Sequence, residues 1–264
     1  MSRPHPLVTA AGLFTVIPVP PVTMITADVA RRAIRWFPAL GFLLGLAAAG
    51  VATLTLFLSE SHLLAAALAI ACLQALVGGM HLDGLADTAD GLAAIGSRKQ
   101  GRDASSALDI MRKPDIGAMG VATIALVLAI QMAAISALPD WRSSAVVLLL
   151  FPVVERLSVL LATRPGIPSA RPGGFGALMS EITPRGHVLG QVAVWLTVAA
   201  ALGWLAAGGP GAVVLPGSAI VALVVGAALT RRMVTTLGGM TGDCFGALVE
   251  ASGAAFLVVA ALAW

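Results

Sequence analysis

The chain is 264 residues long, 58% apolar and 11% charged, with a mean hydropathy of +0.95. Soluble domains carry about 25% charged residues, so these figures exclude an ordinary water-soluble domain and predict an all-α, polytopic membrane protein. The formal net charge of +3 and the pI near 9.5 do not argue for nucleic-acid binding, because excess Arg and Lys in a membrane protein reports topology.

In chain order, the first apolar stretch, Leu7 to Ile17, is short and runs into Pro18, Pro20 and Pro21. It reads as an interfacial or re-entrant piece, not a full span. Seven segments of spanning length follow, at about 39–58, 62–80, 117–137, 143–162, 187–207, 212–230 and 246–264, with six or eight as the bounds if a weak span is re-entrant. They make one integral membrane domain over 1–264, with long loops at about 81–116, 163–186 and 231–245. Arg3, Arg31, Arg32, Arg35, Arg98, Lys99, Arg102, Arg112, Lys113, Arg164, Arg171, Arg185, Arg231 and Arg232 then fall on one side, which is fourteen of the sixteen basic residues. Arg142 falls on the other side and Arg156 inside the fourth span. The positive-inside rule puts the N-terminus and the three long loops in the cytoplasm and the C-terminus outside.

That sidedness sends Asp83, Asp87, Asp90, Asp109, Asp115 and Asp243 to the cytoplasmic face. A transporter would spread polar groups through the midplane. Polar groups gathered at one surface suit an enzyme that takes a water-soluble substrate. Asp83, Asp87 and Asp90 fall within roughly 60° of one another on a helix. Such carboxylates repel, and a divalent cation, Mg²⁺ shared with substrate phosphates, is the natural partner. Asp243, in Gly238-Gly239-Met240-Thr241-Gly242-Asp243, adds a fourth carboxylate. Gly84 and Gly91 leave room for a phosphate or another helix against the backbone. His81 lies roughly 160° from Asp83, which favours contact with substrate phosphate over metal ligation. Arg112, Lys113, Arg156 and Arg171 are the candidate phosphate contacts. Glu155 and Arg156, adjacent inside a span, point about 100° apart and so call for other partners. Cys72 and Cys244 form no metal pattern and read as small apolar fillers.

Several of these stretches together carry a resemblance. His81 to Gly91, Ile110-Met111-Arg112 leading to Ile116-Gly117-Ala118-Met119-Gly120, and Gly238 to Asp243 resemble the cobalamin synthase (adenosylcobinamide-GDP ribazoletransferase) family. Phe14 to Pro20, Trp36 to Gly41 and Arg171 to Gly174 add to it, so the likeness runs from about residue 12 to 250. Lys113 departs from it, standing where an acidic residue is expected, with Asp115 two positions on. The resemblance implies attack of the 3′-hydroxyl of α-ribazole, or of its 5′-phosphate, on adenosylcobinamide-GDP, with loss of GMP. It implies Asp83, Asp87, Asp90 and Asp243 on Mg²⁺, and His81 or an aspartate assisting deprotonation. The implied partners are the two small-molecule substrates, the bilayer and other late cobalamin-pathway enzymes, with no nucleic acid, and the implied location is the inner membrane of a bacterium. Two other readings compete. A CDP-alcohol phosphotransferase needs Asp-Gly-x-x-Ala-Arg, but Asp83-Gly84 is followed by Leu85-Ala86-Asp87 and no second half. A divalent-cation or metabolite transporter needs charges buried in several spans.

Overall fold

The computed structural model describes residues 5–22, 24–96 and 103–264, so Arg3, Arg98, Lys99 and Arg102 lie outside the described residues. The helices are α1 (Pro6–Phe14), α2 (Ala27–Ile34), α3 (Phe37–Ser59), α4 (His62–Val77), α5 (Met80–Gly96), α6 (Ala104–Ile110), α7 (Ala118–Ser136), α8 (Trp141–Ala162), α9 (Gly174–Met179), α10 (Arg185–Leu237) and α11 (Gly242–Ala263). Among the described residues there is no strand, only a bridge between Ser169 and Met240.

α3, α7, α8, α10 and α11 are long and apolar enough to cross a membrane, and the bent pair α4–α5 forms a further candidate. α10 has 53 residues, roughly 80 Å if straight, far beyond a hydrocarbon core of about 30 Å. It breaks at Ala207 (φ −141°) and Gly208 (φ +65°), just before Pro210. Past the break the backbone of Gly211 lies directly against that of Gly203, with no room for a Cβ on either. Residues eight apart in one helix stand about 12 Å apart, so α10 is a hairpin of two helices. The expected fifth and sixth spans lie in its two arms.

α8 is the central helix: 78% of its apolar window is buried, against 22% for α7. α3 packs along it through Gly41 and Gly45, where an added Cβ would meet the backbone carbonyls of Pro152 and Leu149. Small residues four apart let two spanning helices touch main chain to main chain.

α1, at nine residues, is too short to cross, as the prolines predicted. It is tied to the end of α4 by Val16 N–H donating to Leu76 O (2.9 Å). At that end α4 stops on two successive left-handed glycines, Gly78 (φ +63°) and Gly79 (φ +69°), a conformation that favours glycine. They turn the chain by 90° into α5. The expected loop over 81–116 is therefore largely helical: α5 lies across the bundle end and α6 follows, capped by Asp103. α2, between Thr26 and Arg35, is a further short helix that periodicity alone did not predict; its cue was Thr26 as cap with Asp28 in the first turn.

Candidate functional site

The site forms where α5 crosses the first turns of α7 and α11. Gly84 and Gly246 make the crossing possible. A Cβ on Gly84 would stand 2.7 Å from Asp243 O, and one on Gly246 would stand 2.9 Å from His81 O. A helix thus occupies the space beside Gly84. Beside Gly91, a Cβ would come within 2.7 Å of Met111 Cγ. Of the two neighbours expected against these glycines, a phosphate or another helix, the phosphate is corrected: α5 packs closely on α11 at Gly84 and on the end of α6 at Gly91.

The contact at Gly84 delivers Asp243 to the carboxylates of α5. Asp87, half-buried, is pushed up to about 6, first by desolvation, then by the charges of Asp243, Asp83 and Asp90, with Arg171 pulling the other way. Four carboxylates and one guanidinium therefore share a local field. Asp243 does not cap α11; Thr241 does, accepting from Cys244 N–H and donating to the Asp243 carboxylate (both 3.2 Å).

Arg171 is brought in by a second loop. Ala170 N–H donates to Met240 O (3.0 Å) and Met240 N–H to Pro168 O (2.9 Å). Gly239 and Gly176 lie against the backbones of Ser169 and Met240 with no space for a Cβ. The loop around Arg171 and the glycine-rich turn before α11 are therefore one unit, and Arg171 Nη2 donates to Leu108 O (2.7 Å), fastening both to α6.

Asp90 has a further task. Its carboxylate accepts from Gly117 N–H (2.7 Å) and Gly120 N–H (2.9 Å). α7 starts at Gly117, which offers no side-chain cap of its own, so Asp90 caps it from α5. The charge also meets the positive end of the α7 dipole. Asp90→Ala is expected to cost about 2–3 kcal/mol, and Asp90→Asn roughly half of that, because one acceptor survives. Thermal unfolding in nanodiscs, with hydrogen exchange in the first turn of α7, measures both.

Two clefts flank α5. One, of about 240 Å³, is walled by Asp83, Asp243, His81 and the rings of Phe14, Phe37 and Phe175. The other, of about 350 Å³, is lined by Asp87, Asp90, Lys113 and Asp115. Lys113 thus faces the carboxylates, while the exposed Arg112 stands 4.0 Å from Asp109. The ring cluster went unread in the sequence.

His81 is buried, and desolvation followed by the charge of Arg156 pushes it down to about 3. It stays neutral at physiological pH, where it can donate or accept a hydrogen bond but is a poor proton acceptor. Arg156 is sealed at 1% exposure. It donates to Glu155 Oε2 (2.6 Å) and to Pro152 O (3.1 Å) and stacks 5.4 Å above Phe37. The adjacent pair meet after all, by Arg156 curling back along the helix, although its buried Nε has no hydrogen-bond partner. The cavity beside them is about 10 Å³, space for one water and not for a phosphate, so the expected phosphate contact at Arg156 is corrected to a buried structural pair. Glu250 in α11 is a second spanning-helix charge that the sequence reading passed over. Gln74 and Gln131 each donate to it at 2.9 Å, and glutamines inside apolar spans were the available signal.

The family model described as cobalamin-5-phosphate synthase matches residues 6–261. The adenosylcobinamide-GDP ribazoletransferase of Frankia casuarinae is 36% identical, over 96% of this chain and 93% of its own length. Those of Brevibacillus brevis (32%, over 97% of each) and Pseudomonas savastanoi pv. phaseolicola (38%, over 88% of each) are also similar to it. No solved structure matches the chain.

Proposed function

The chain belongs to the cobalamin-5-phosphate synthase family, and on that premise we propose that it joins adenosylcobinamide-GDP to α-ribazole, or to α-ribazole 5′-phosphate, with release of GMP. The observation that carries this reading is the convergence of Asp83, Asp87, Asp90 and Asp243 with Arg171 where α5 meets α11. The ribazole hydroxyl forms a new oxygen–phosphorus bond at the cobinamide-side phosphorus. The bridging oxygen–phosphorus bond breaks, and GMP leaves with the electron pair. The proton passes to a carboxylate of the cluster; His81, buried and held neutral, is the poorer acceptor. Arg171 and Lys113 supply positive charge for the phosphates, and the phenylalanine-walled cleft suits the flat ribazole base.

Mg²⁺ fits the donor set. Among the described residues no three His, Cys, Asp or Glu side chains form a ready metal cage. Mg²⁺, however, is typically held by one or two carboxylates together with substrate phosphates. Asp83, Asp87 and Asp243 are the residues to hold it, with Asp90 largely engaged at α7. When bound, it neutralises charge developing on the phosphate oxygens. We read seven passes, counting α4 and both arms of α10. The N-terminus and the site then face the cytoplasm, in the inner membrane of a bacterium, because Arg31, Arg32, Arg35, Arg112, Lys113, Arg164, Arg171, Arg185, Arg231 and Arg232 all sit on that side.

GMP release from adenosylcobinamide-GDP by protein in lipid nanodiscs tests the reading. Release is expected only with α-ribazole or its 5′-phosphate present. Folded protein that releases nothing, or that releases GMP equally well without the ribazole, contradicts it.

A further inference from the structure

Away from this site, a groove of about 530 Å³ lies between the end of α8 and the second arm of α10. On α10 its walls include Val224, Ala228, Arg231 and Thr235, spaced three or four residues apart as one stripe along a helix face, with Ala227, Thr230 and Val234 beside them. The stripe is graded. Val224, Ala227 and Ala228 are apolar and lie toward the middle of the arm, and Arg231 sits nearer its end, roughly 10 Å along the axis from Val224. Arg164, at the end of α8, closes the same mouth. Among the described residues no carboxylate lines the groove. The Arg164 guanidinium is already oriented, with Nη1 donating to Leu161 O (2.5 Å). Thr230 and Thr235 spend their hydroxyls on Gly226 O and Arg232 O, so the guanidiniums are left to do the recognising.

We propose that this groove binds one anionic phospholipid, its phosphate between Arg164 and Arg231 and an acyl chain along Ala228, Ala227 and Val224. A free phosphate would need the arginines but not the apolar stripe below them; a neutral lipid would need the stripe but not two unopposed cations. Basic pockets between spanning helices suit anionic headgroups for this reason. The arginine-bearing loop continues from Arg164 through Pro168, which accepts from Met240 N–H, to Arg171, so lipid in the groove contacts the segment that delivers Arg171 to the carboxylates.

The test is the selectivity of the protein in phosphatidylcholine nanodiscs for spin-labelled phosphatidylglycerol over spin-labelled phosphatidylcholine. Wild type, which needs no refolding control, should favour phosphatidylglycerol. Arg164→Gln and Arg231→Gln should each lower that preference about fivefold. Arg232→Gln removes the same charge from the next residue, outside the groove, and should change it little. Equal loss in Arg232→Gln would reduce the effect to general surface charge and overturn the site. So would an unchanged preference in the Arg164→Gln/Arg231→Gln double variant, no preference in wild type, or full displacement of the lipid by soluble glycerol phosphate.

Discussion

Asp83→Asn is expected to lower α-ribazole-dependent GMP release by about a hundredfold or more, the scale seen when one electrostatic contact to a transition state is removed. Asp87→Asn and Asp243→Asn should fall in the same range, because the three carboxylates act on one volume: Asp243 and Asp83 are the leading charges that raise Asp87. EDTA should abolish release in wild type, and added Mg²⁺ should restore it. The three Asn variants lose repulsion as well as function, so they should be at least as heat-stable as wild type. Asp90→Asn should show the opposite pattern, a loss of stability with a smaller loss of turnover, since its carboxylate is committed to Gly117 and Gly120. Full activity in a folded, membrane-inserted Asp83→Asn protein, or full activity in EDTA, would remove Mg²⁺ and this residue from the reaction.

The all-helical membrane architecture was legible because a bilayer imposes it: backbone polar groups in hydrocarbon must be satisfied within the segment, so apolar runs of the right length name the helices directly. α3, α7, α8 and α11 fall close to their expected ranges. The paired glycines at Gly78-Gly79 gave no warning of a 90° bend, because permissive residues allow a left-handed turn without demanding one. The carboxylate cluster was half legible. Asp83, Asp87 and Asp90 share a helix face by spacing alone, but the arrival of Asp243 depends on Gly84 and Gly246 letting two backbones touch, a pairing no single segment encodes. Arg171 is remoter still, placed by a main-chain bridge between Ser169 and Met240. The same reasoning misread Arg156. Helical geometry points Glu155 and Arg156 apart at the Cβ, and it ignores the length of an arginine that curls back to its neighbour and to Pro152 O.

That misreading sets the second large expectation. Arg156→Met should destabilise the protein by about 3–5 kcal/mol, because it strands Glu155 in the bundle interior without its cation. Glu155 is 5% exposed and packed against α11 at Gly253, and the single water its cavity could admit does not replace a cation. Glu155→Gln/Arg156→Met removes both charges and should recover most of that loss, since a buried pair replaced whole is often near neutral in stability. The recovery separates structure from chemistry. If Arg156 gripped a substrate phosphate, the double variant would regain its unfolding midpoint and still fail in GMP release. If Arg156 only holds α8 against α3, stability and GMP release should return together, since burial is the main cause that keeps His81 neutral. The second outcome is expected, because the cavity bordering Arg156 holds about 10 Å³, room for one water and not for a phosphate.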